Sequence, residues 1–362
     1  MKNSFPTLLS KYITISILII SSCTSAPDKQ IRSLSNEKIS IQDLDTFIIN
    51  QMDSLNVAGI SIAMINEAKV VYHRTFGLAN IQDSIKVDSN TIFEAASISK
   101  PFFTYFVMKM VDKEVIDLDT PLYSYLPYPD IENDERYKLI TARMVLNHST
   151  GFPNWRFFYP ENKLFIQFTP GTDFYYSGEG YLYLTKVIAH LTGVERENLD
   201  SLIQEEVCIP LGIIHTYFSG NDYISKHKAI GYIDGKITDD VWDRTAFNSA
   251  ASLHSEAREY SKFLIAVMNE TGLNSGTVQQ MLKEQIIIPD DDELKSDGYY
   301  SWALGFGIKK IANKLYYGHG GNNWKFQSHF LFDKDRKNGY VFFTNCNNGS
   351  EFNKKLEKFL TE

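Results

Sequence analysis

Strand-like sequence stands at both ends of this chain with a long, mostly helical stretch between them, and that order constrains the fold more than any other feature. Gly59-Ile60-Ser61-Ile62-Ala63-Met64-Ile65 and Val70-Val71-Tyr72-His73-Arg74-Thr75-Phe76-Gly77 flank a turn at Asn66-Glu67-Ala68-Lys69, the pattern of two antiparallel strands. Strand character returns only late, over Ala303 to Lys309, His329 to Phe332 and, after a turn at Asn338-Gly339, Tyr340 to Thr344. Phe352, Leu356, Phe359 and Leu360 then recur at helical spacing and predict a closing amphipathic helix that lays this face on the sheet. Between the ends, helical stretches such as Tyr181 to Thr192 alternate with loops marked by Pro127-Tyr128-Pro129 and Pro170-Gly171. The expected fold is α/β in the α+β sense: one antiparallel sheet from about 39–96 and 255–362, flanked by helices, with a mainly helical region inserted over about 100–250. At 362 residues and 43% hydrophobic side chains, the chain can bury one large core or two that share a cleft.

The N-terminus reads as an export signal over 1–22: Lys2 and Lys11, an apolar stretch from Tyr12 to Ile20, then small residues. That stretch is well short of the roughly 20 residues a membrane-spanning helix needs. Ile20-Ser21-Ser22-Cys23 resembles a bacterial lipobox, so Cys23 is the expected lipid-attachment residue and the cell envelope, on a membrane surface, the expected location. Residues 23–38 are polar and aperiodic, as a flexible tether would be, which leaves 39–362 as the folded domain. A net charge of −8 without a long basic run gives nucleic acid no footing as a partner. Cys208 and Cys346 lie in apolar sequence and read as buried, inert thiols. The histidines show no close ligand spacing and no phosphate-cradling glycine loop is present, so neither a metal nor a nucleotide cofactor is expected. The run Asp290-Asp291-Asp292-Glu293 reads as a solvated loop.

A serine three residues before a lysine on a helix places hydroxyl and amine on one face, a turn apart, close enough to exchange a proton. The spacing occurs at Ser35/Lys38, Ser97/Lys100 and Ser225/Lys228, and context separates the three. Ser35 falls in the tether and Ser225 in a polar stretch. Ser97 precedes the long apolar run Pro101 to Val111, which predicts a buried helix with Ser97 in its first turn, where free backbone N–H groups favour developing negative charge. Burial beside that helix would favour the neutral form of Lys100, as a proton acceptor requires, whereas a structural ion pair is the plainer role for the same lysine.

Ser97-Ile98-Ser99-Lys100, Tyr176-Ser177-Gly178 and His319-Gly320-Gly321 resemble, in order and separation, the three signature elements of class C β-lactamases, related penicillin-binding proteins and family VIII esterases. Leu146 to Pro153, Thr169-Pro170-Gly171 and Pro210-Leu211-Gly212 are similar to the family's connecting motifs. The resemblance implies the β-lactamase/transpeptidase-like fold and a serine hydrolase that acts on an ester or amide, small molecule or peptide, through an acyl-enzyme on Ser97. It implies that Lys100 and Tyr176 share the proton transfers, in an order left open here, and that His319 edges the cleft, bridging to Tyr176. It also implies an oxyanion hole from the N–H groups of Ser97 and Asn322, with Gly320 and Gly321 letting substrate approach the strand. Gly178 departs from the family, which commonly places asparagine there against the substrate's acyl-amide group; ester cleavage is left open and β-lactam or D-peptide hydrolysis is disfavoured. A cell-wall carboxypeptidase or transpeptidase, and a non-catalytic envelope protein that binds a partner on the same scaffold, are the competing expectations.

Overall fold

The computed structural model describes Met1 and residues 29–238 and 245–362, so the expected export signal and Cys23 lie outside the described residues. Part of the expected tether instead belongs to the fold. β1 (Gln30–Arg32) pairs antiparallel with β2 (Lys38–Ser40), and Ile31 and Leu34 are buried. Two apolar side chains in a polar run have no period of their own. What covers them comes from the far end of the chain: the Ser35 N–H donates to the Leu360 carbonyl (3.0 Å) and the Tyr316 hydroxyl to the Leu34 carbonyl (3.0 Å).

α1 (Ile41–Leu55) begins where the Ser40 hydroxyl accepts from the Asp43 N–H, and it buries Leu44, Ile48 and Met52 along one stripe. β3 (Gly59–Asn66) and β4 (Lys69–Asn80) form the expected hairpin, closed by Glu67 and Ala68 at positive φ (50° and 54°), the backbone of a tight two-residue turn. After β5 (Ile85–Lys86) and β6 (Phe93–Glu94), the apolar run becomes α2 (Ser99–Asp112), buried on almost every side. The inserted region continues through short helical turns and α3 (Gly178–Thr192), and the chain returns at β7 (His254–Ser255). β7 pairs with β6, and the Ala95 N–H donates to the Leu253 carbonyl (2.7 Å), so a short ladder pinches the neck of the insertion. α4 (Ala257–Asn269) follows, then β8 (Ile286–Ile287), β9 (Tyr299–Trp302), β10 (Gly307–Ile311), β11 (Lys314–Asn322), β12 (Gln327–Asp333), β13 (Asn338–Thr344) and α5 (Gly349–Thr361).

Among the described residues, nine strands make one sheet in the order β5-β4-β3-β13-β12-β11-β10-β9-β8, with β13 zipped antiparallel onto β3 (Val341 opposite Ala63). The expected architecture therefore holds: the sheet joins the two ends of the chain and the helical region is inserted. Alternate residues on β12 and β13 face opposite ways. Phe330, Phe332, Val341 and Phe343 pack into the larger core with α2 and α4. Leu331, Tyr340 and Phe342 face α1 and α5, whose Phe47 and Phe359 stack at 4.2 Å. Two expected boundaries differ. Ala303–Phe306 is a turn between β9 and β10 rather than strand: the Ala303 N–H donates to the Phe306 carbonyl (2.8 Å) and Gly305 takes φ +79°. Asn338 and Gly339 already pair within β13, and the turn lies just before them with Lys337 at φ 55°.

Candidate active site

Ser97 sits in a one-turn 3-10 segment, Ala96–Ile98, directly before α2, rather than in the helix's first turn as expected. The neck holds it: Ala95 is bonded across to Leu253, and Ala96 takes φ 49°, a left-handed conformation that a residue with a side chain adopts only where its surroundings impose it. Lys100, the second residue of α2, is 0% exposed. Its Nζ donates to the Ser97 Oγ at 3.2 Å and to the Ala250 carbonyl at 3.0 Å. The rings of Tyr176, Trp155 and Tyr181 surround the amine at 4.7, 5.7 and 5.7 Å. Among the described residues no carboxylate pairs with it, so desolvation alone lowers its pKa to about 7. The plain ion-pair role therefore fails for Lys100. It holds for Lys228 of the rival spacing, whose Nζ donates to Glu94 at 2.6 Å.

Tyr176 reaches the same point from the segment before α3. Desolvation pushes its phenol well above the ordinary range, partly offset by a hydrogen bond with the Ser97 side chain. The phenol also lies 3.4 Å from His319 Nε2. His319 is on β11, and its Nδ1 meets the Gly320 carbonyl at 2.7 Å. A carbonyl only accepts, so Nδ1 carries the proton and Nε2 is left to accept from Tyr176. Burial first, then the charge of Lys100, lowers the His319 pKa to about 3, which keeps the imidazole neutral. The structure thus brings Ser97, Lys100, Tyr176 and His319 into one hydrogen-bonded chain.

Gly321 has a packing reason beside the one expected. A Cβ there would stand 2.3 Å from the Ala95 carbonyl and 2.3 Å from Ser328 Oγ, so the residue lets β11 lie against the backbone that presents Ser97. Gly320 is not so confined, its nearest neighbour being His329 Cδ2 at 3.5 Å. Asn322 ends β11, its Oδ1 accepting from the Trp324 N–H at 2.8 Å. Ser97, Tyr176, His319, Asn322 and Trp324 line one cavity of about 1110 Å³. Asp291, Asp292 and Glu293 line it as well; the acidic run is more than a solvated loop, because Asp292 caps a helical turn, Glu293–Ser296, at the cavity wall.

Two residues here escaped sequence reasoning in their roles. His148 lay in a flagged connecting motif, yet nothing local shows that its Nδ1 accepts from the Ser177 N–H (3.1 Å) and its carbonyl from the Tyr175 N–H (2.9 Å), bracketing Tyr176. Trp155 carried no signal: its indole lies against Gly178, where an added Cβ would stand 2.6 Å from Cη2. Cys208 and Cys346 are buried free thiols. Among the described residues no three His, Cys, Asp or Glu side chains are placed to share a metal ion.

Residues 44–361 match the family model described as Beta-lactamase. Protein flp of Staphylococcus aureus is 22% identical over 341 residues, covering 88% of this chain, and the chain spans only 65% of that relative's length. Unguisins hydrolase ungD of Aspergillus violaceofuscus is 26% identical over 68% of this chain and 47% of its own length. Among solved structures, the octameric penicillin-binding protein homologue from Pyrococcus abyssi superposes with a TM-score of 0.74 (22% identity, 85% of this chain and 74% of that one). The D-amino acid amidase from Ochrobactrum anthropi SV3 superposes at 0.71 (20% identity, 88% and 98%).

Proposed function

Because the chain belongs to the beta-lactamase family, we propose that it is a serine hydrolase cleaving an ester or amide through an acyl-enzyme on Ser97. The observation that carries this reading is the buried amine of Lys100, unpaired by any carboxylate among the described residues and 3.2 Å from the Ser97 Oγ. With a pKa of about 7, close to half the amine is neutral at neutral pH and able to take the serine proton, while the phenol of Tyr176, pushed upward, keeps its own. Oγ then bonds to the substrate carbonyl carbon. The carbonyl oxygen, now negative, is received by the N–H groups of Ser97 and Asn322, each such donor contributing about 3 kcal/mol at the transition state. The bond to the leaving atom breaks as that atom takes the Tyr176 proton, and the phenolate recovers a proton from the Lys100 ammonium. Water repeats the sequence and releases the acid. Neutral His319, accepting from Tyr176, orients the phenol.

A fluorophosphonate probe on purified protein, read by intact mass and peptide mapping, tests this: one adduct is expected, on Ser97. Nitrophenyl esters, a chromogenic cephalosporin and D-alanyl peptides assayed side by side then sort esterase from β-lactamase from cell-wall carboxypeptidase or transpeptidase. A protein that neither labels nor turns over any of them is the non-catalytic binder. The same reading includes an envelope location through lipid on Cys23, supported by the short apolar stretch and small residues ahead of it. Cys23→Ala should move the protein from the membrane to the soluble fraction of an expressing bacterium; equal membrane retention of the variant would remove the anchor from the proposal.

A further inference from the structure

Gly178 opens α3, with Ser177 as the cap whose hydroxyl accepts from the Gly180 N–H at 3.1 Å. Its backbone needs no glycine: it is absent from the positions at positive φ. What excludes a side chain is space. An added Cβ would stand 2.6, 2.7 and 2.8 Å from Cη2, Cζ3 and Cζ2 of Trp155, closer than real carbon atoms approach.

The indole is held from both sides. Asn154 accepts the Gly178 N–H on its carbonyl and on its Oδ1 (both 3.0 Å). Arg156 donates from its backbone and from Nε to the buried carboxylate of Glu179 (3.0 and 2.9 Å). Phe157 stacks on the indole at 5.8 Å with an interplanar angle of 13°. Both residues flanking Trp155 are therefore tied to the start of α3, and the ring centroid stays 5.7 Å from the Lys100 Nζ, in the cavity that Ser97 lines. Phe158, 63% exposed, continues the aromatic wall toward the mouth.

On the proposed hydrolase reading, the leaving atom departs toward Tyr176, the group that returns its proton, on the His319 side. What stays on Ser97 is the acyl group. We propose that Trp155, seated on Gly178, is the specificity-determining residue of this site: it replaces a side chain at that position with a fixed apolar shelf that favours flat or bulky apolar acyl groups and disfavours acyl chains carrying an amide. An aromatic acyl group keeps its contacts on the ring, whereas an amide laid there loses water and finds no partner from Gly178.

Three nitrophenyl esters with one leaving group and different acyl parts (acetyl, phenylacetyl, N-acetylglycyl) test this, with rates expressed per fluorophosphonate-titrated site so that only folded, competent molecules count. The full chain should prefer phenylacetyl to acetyl in kcat/KM by at least about tenfold. Trp155→Ala should shrink that ratio by about tenfold, Trp155→Phe should retain most of it, and Trp155→Ala with Gly178→Asn should raise N-acetylglycyl relative to phenylacetyl. If the wild type turns over and labels but the acyl ratios of Trp155→Ala match its own, the shelf is overturned and the hydrolase reading stands. If the wild type neither labels nor cleaves any ester, the hydrolase reading falls and takes the shelf with it.

Discussion

Replacing Ser97 by alanine should lower kcat by about 10⁴- to 10⁶-fold, the scale expected when a nucleophile that acts together with its proton-transfer partners is removed. The change should leave the fold intact. Ser97 is only partly buried, and the amine that touches it keeps its second bond, to the Ala250 carbonyl at 3.0 Å. The thermal midpoint should therefore move by little, within roughly the 0.5–1.5 kcal/mol of one hydrogen bond. The measurement is a pair: steady-state turnover of whichever ester or amide the wild type cleaves, and intact mass after fluorophosphonate treatment. Full turnover by the alanine variant would remove Ser97 from the mechanism.

Lys100→Met should abolish turnover and, at acidic pH, make the protein more stable. Burial lowers the amine from an ordinary 10.5 to about 7, and at about 1.36 kcal/mol per pH unit the native state carries the ammonium below pH 7 at a cost of about 5 kcal/mol. Methionine of similar length removes that cost and gives up two hydrogen bonds worth about 1 kcal/mol each, leaving a gain of a few kcal/mol. The sign with pH follows from proton counting. Between pH 7 and 10.5 the unfolded chain holds a proton on this lysine that the native chain has lost, so wild-type stability rises over that window, and the advantage of the variant shrinks as it does. Wild-type kcat/KM should correspondingly climb about fivefold from pH 6 to pH 7 and about twofold more before levelling off near pH 8, as the amine becomes able to accept. Thermal melts of both proteins at pH 6 and 9, beside a pH–rate profile, check this. A variant less stable than the wild type at pH 6, or a flat profile through pH 7, would count against Lys100 as the proton acceptor.

Much of the scaffold is written locally. The strand-like runs over 59–77, the long uninterrupted apolar run after Lys100 and the spacing of Phe352, Leu356 and Leu360 each announce their element, the first by turn and composition, the second by length and the third by period. Ser97 is separable from Ser35 and Ser225 because only Ser97 stands before a buried helix. What stays hidden is who covers whom. Ile31 and Leu34 become core through Leu360 and Tyr316, far along the chain. The motif glycines look alike in sequence, but Gly321 answers to Ala95, Gly178 to Trp155, and Gly320 to nothing close. Trp155 shows the limit best, since two residues past a recognisable motif it has no period, and its contact with Gly178 exists only once the loop is folded back onto α3.

The pairing of β3 with β13 has a consequence for how this molecule comes into being. Ala63 meets Val341 only after the long stretch between them has been made, so early in synthesis β3, paired with β4 along one edge, waits with its other edge and its Ile and Met side chains uncovered. Contacts of such long range are slow to close, because a very large loop must be ordered before the first of them forms. The vulnerable period of this protein is thus its birth: until β13 emerges, the open edge of β3 is available to any other chain in the same condition.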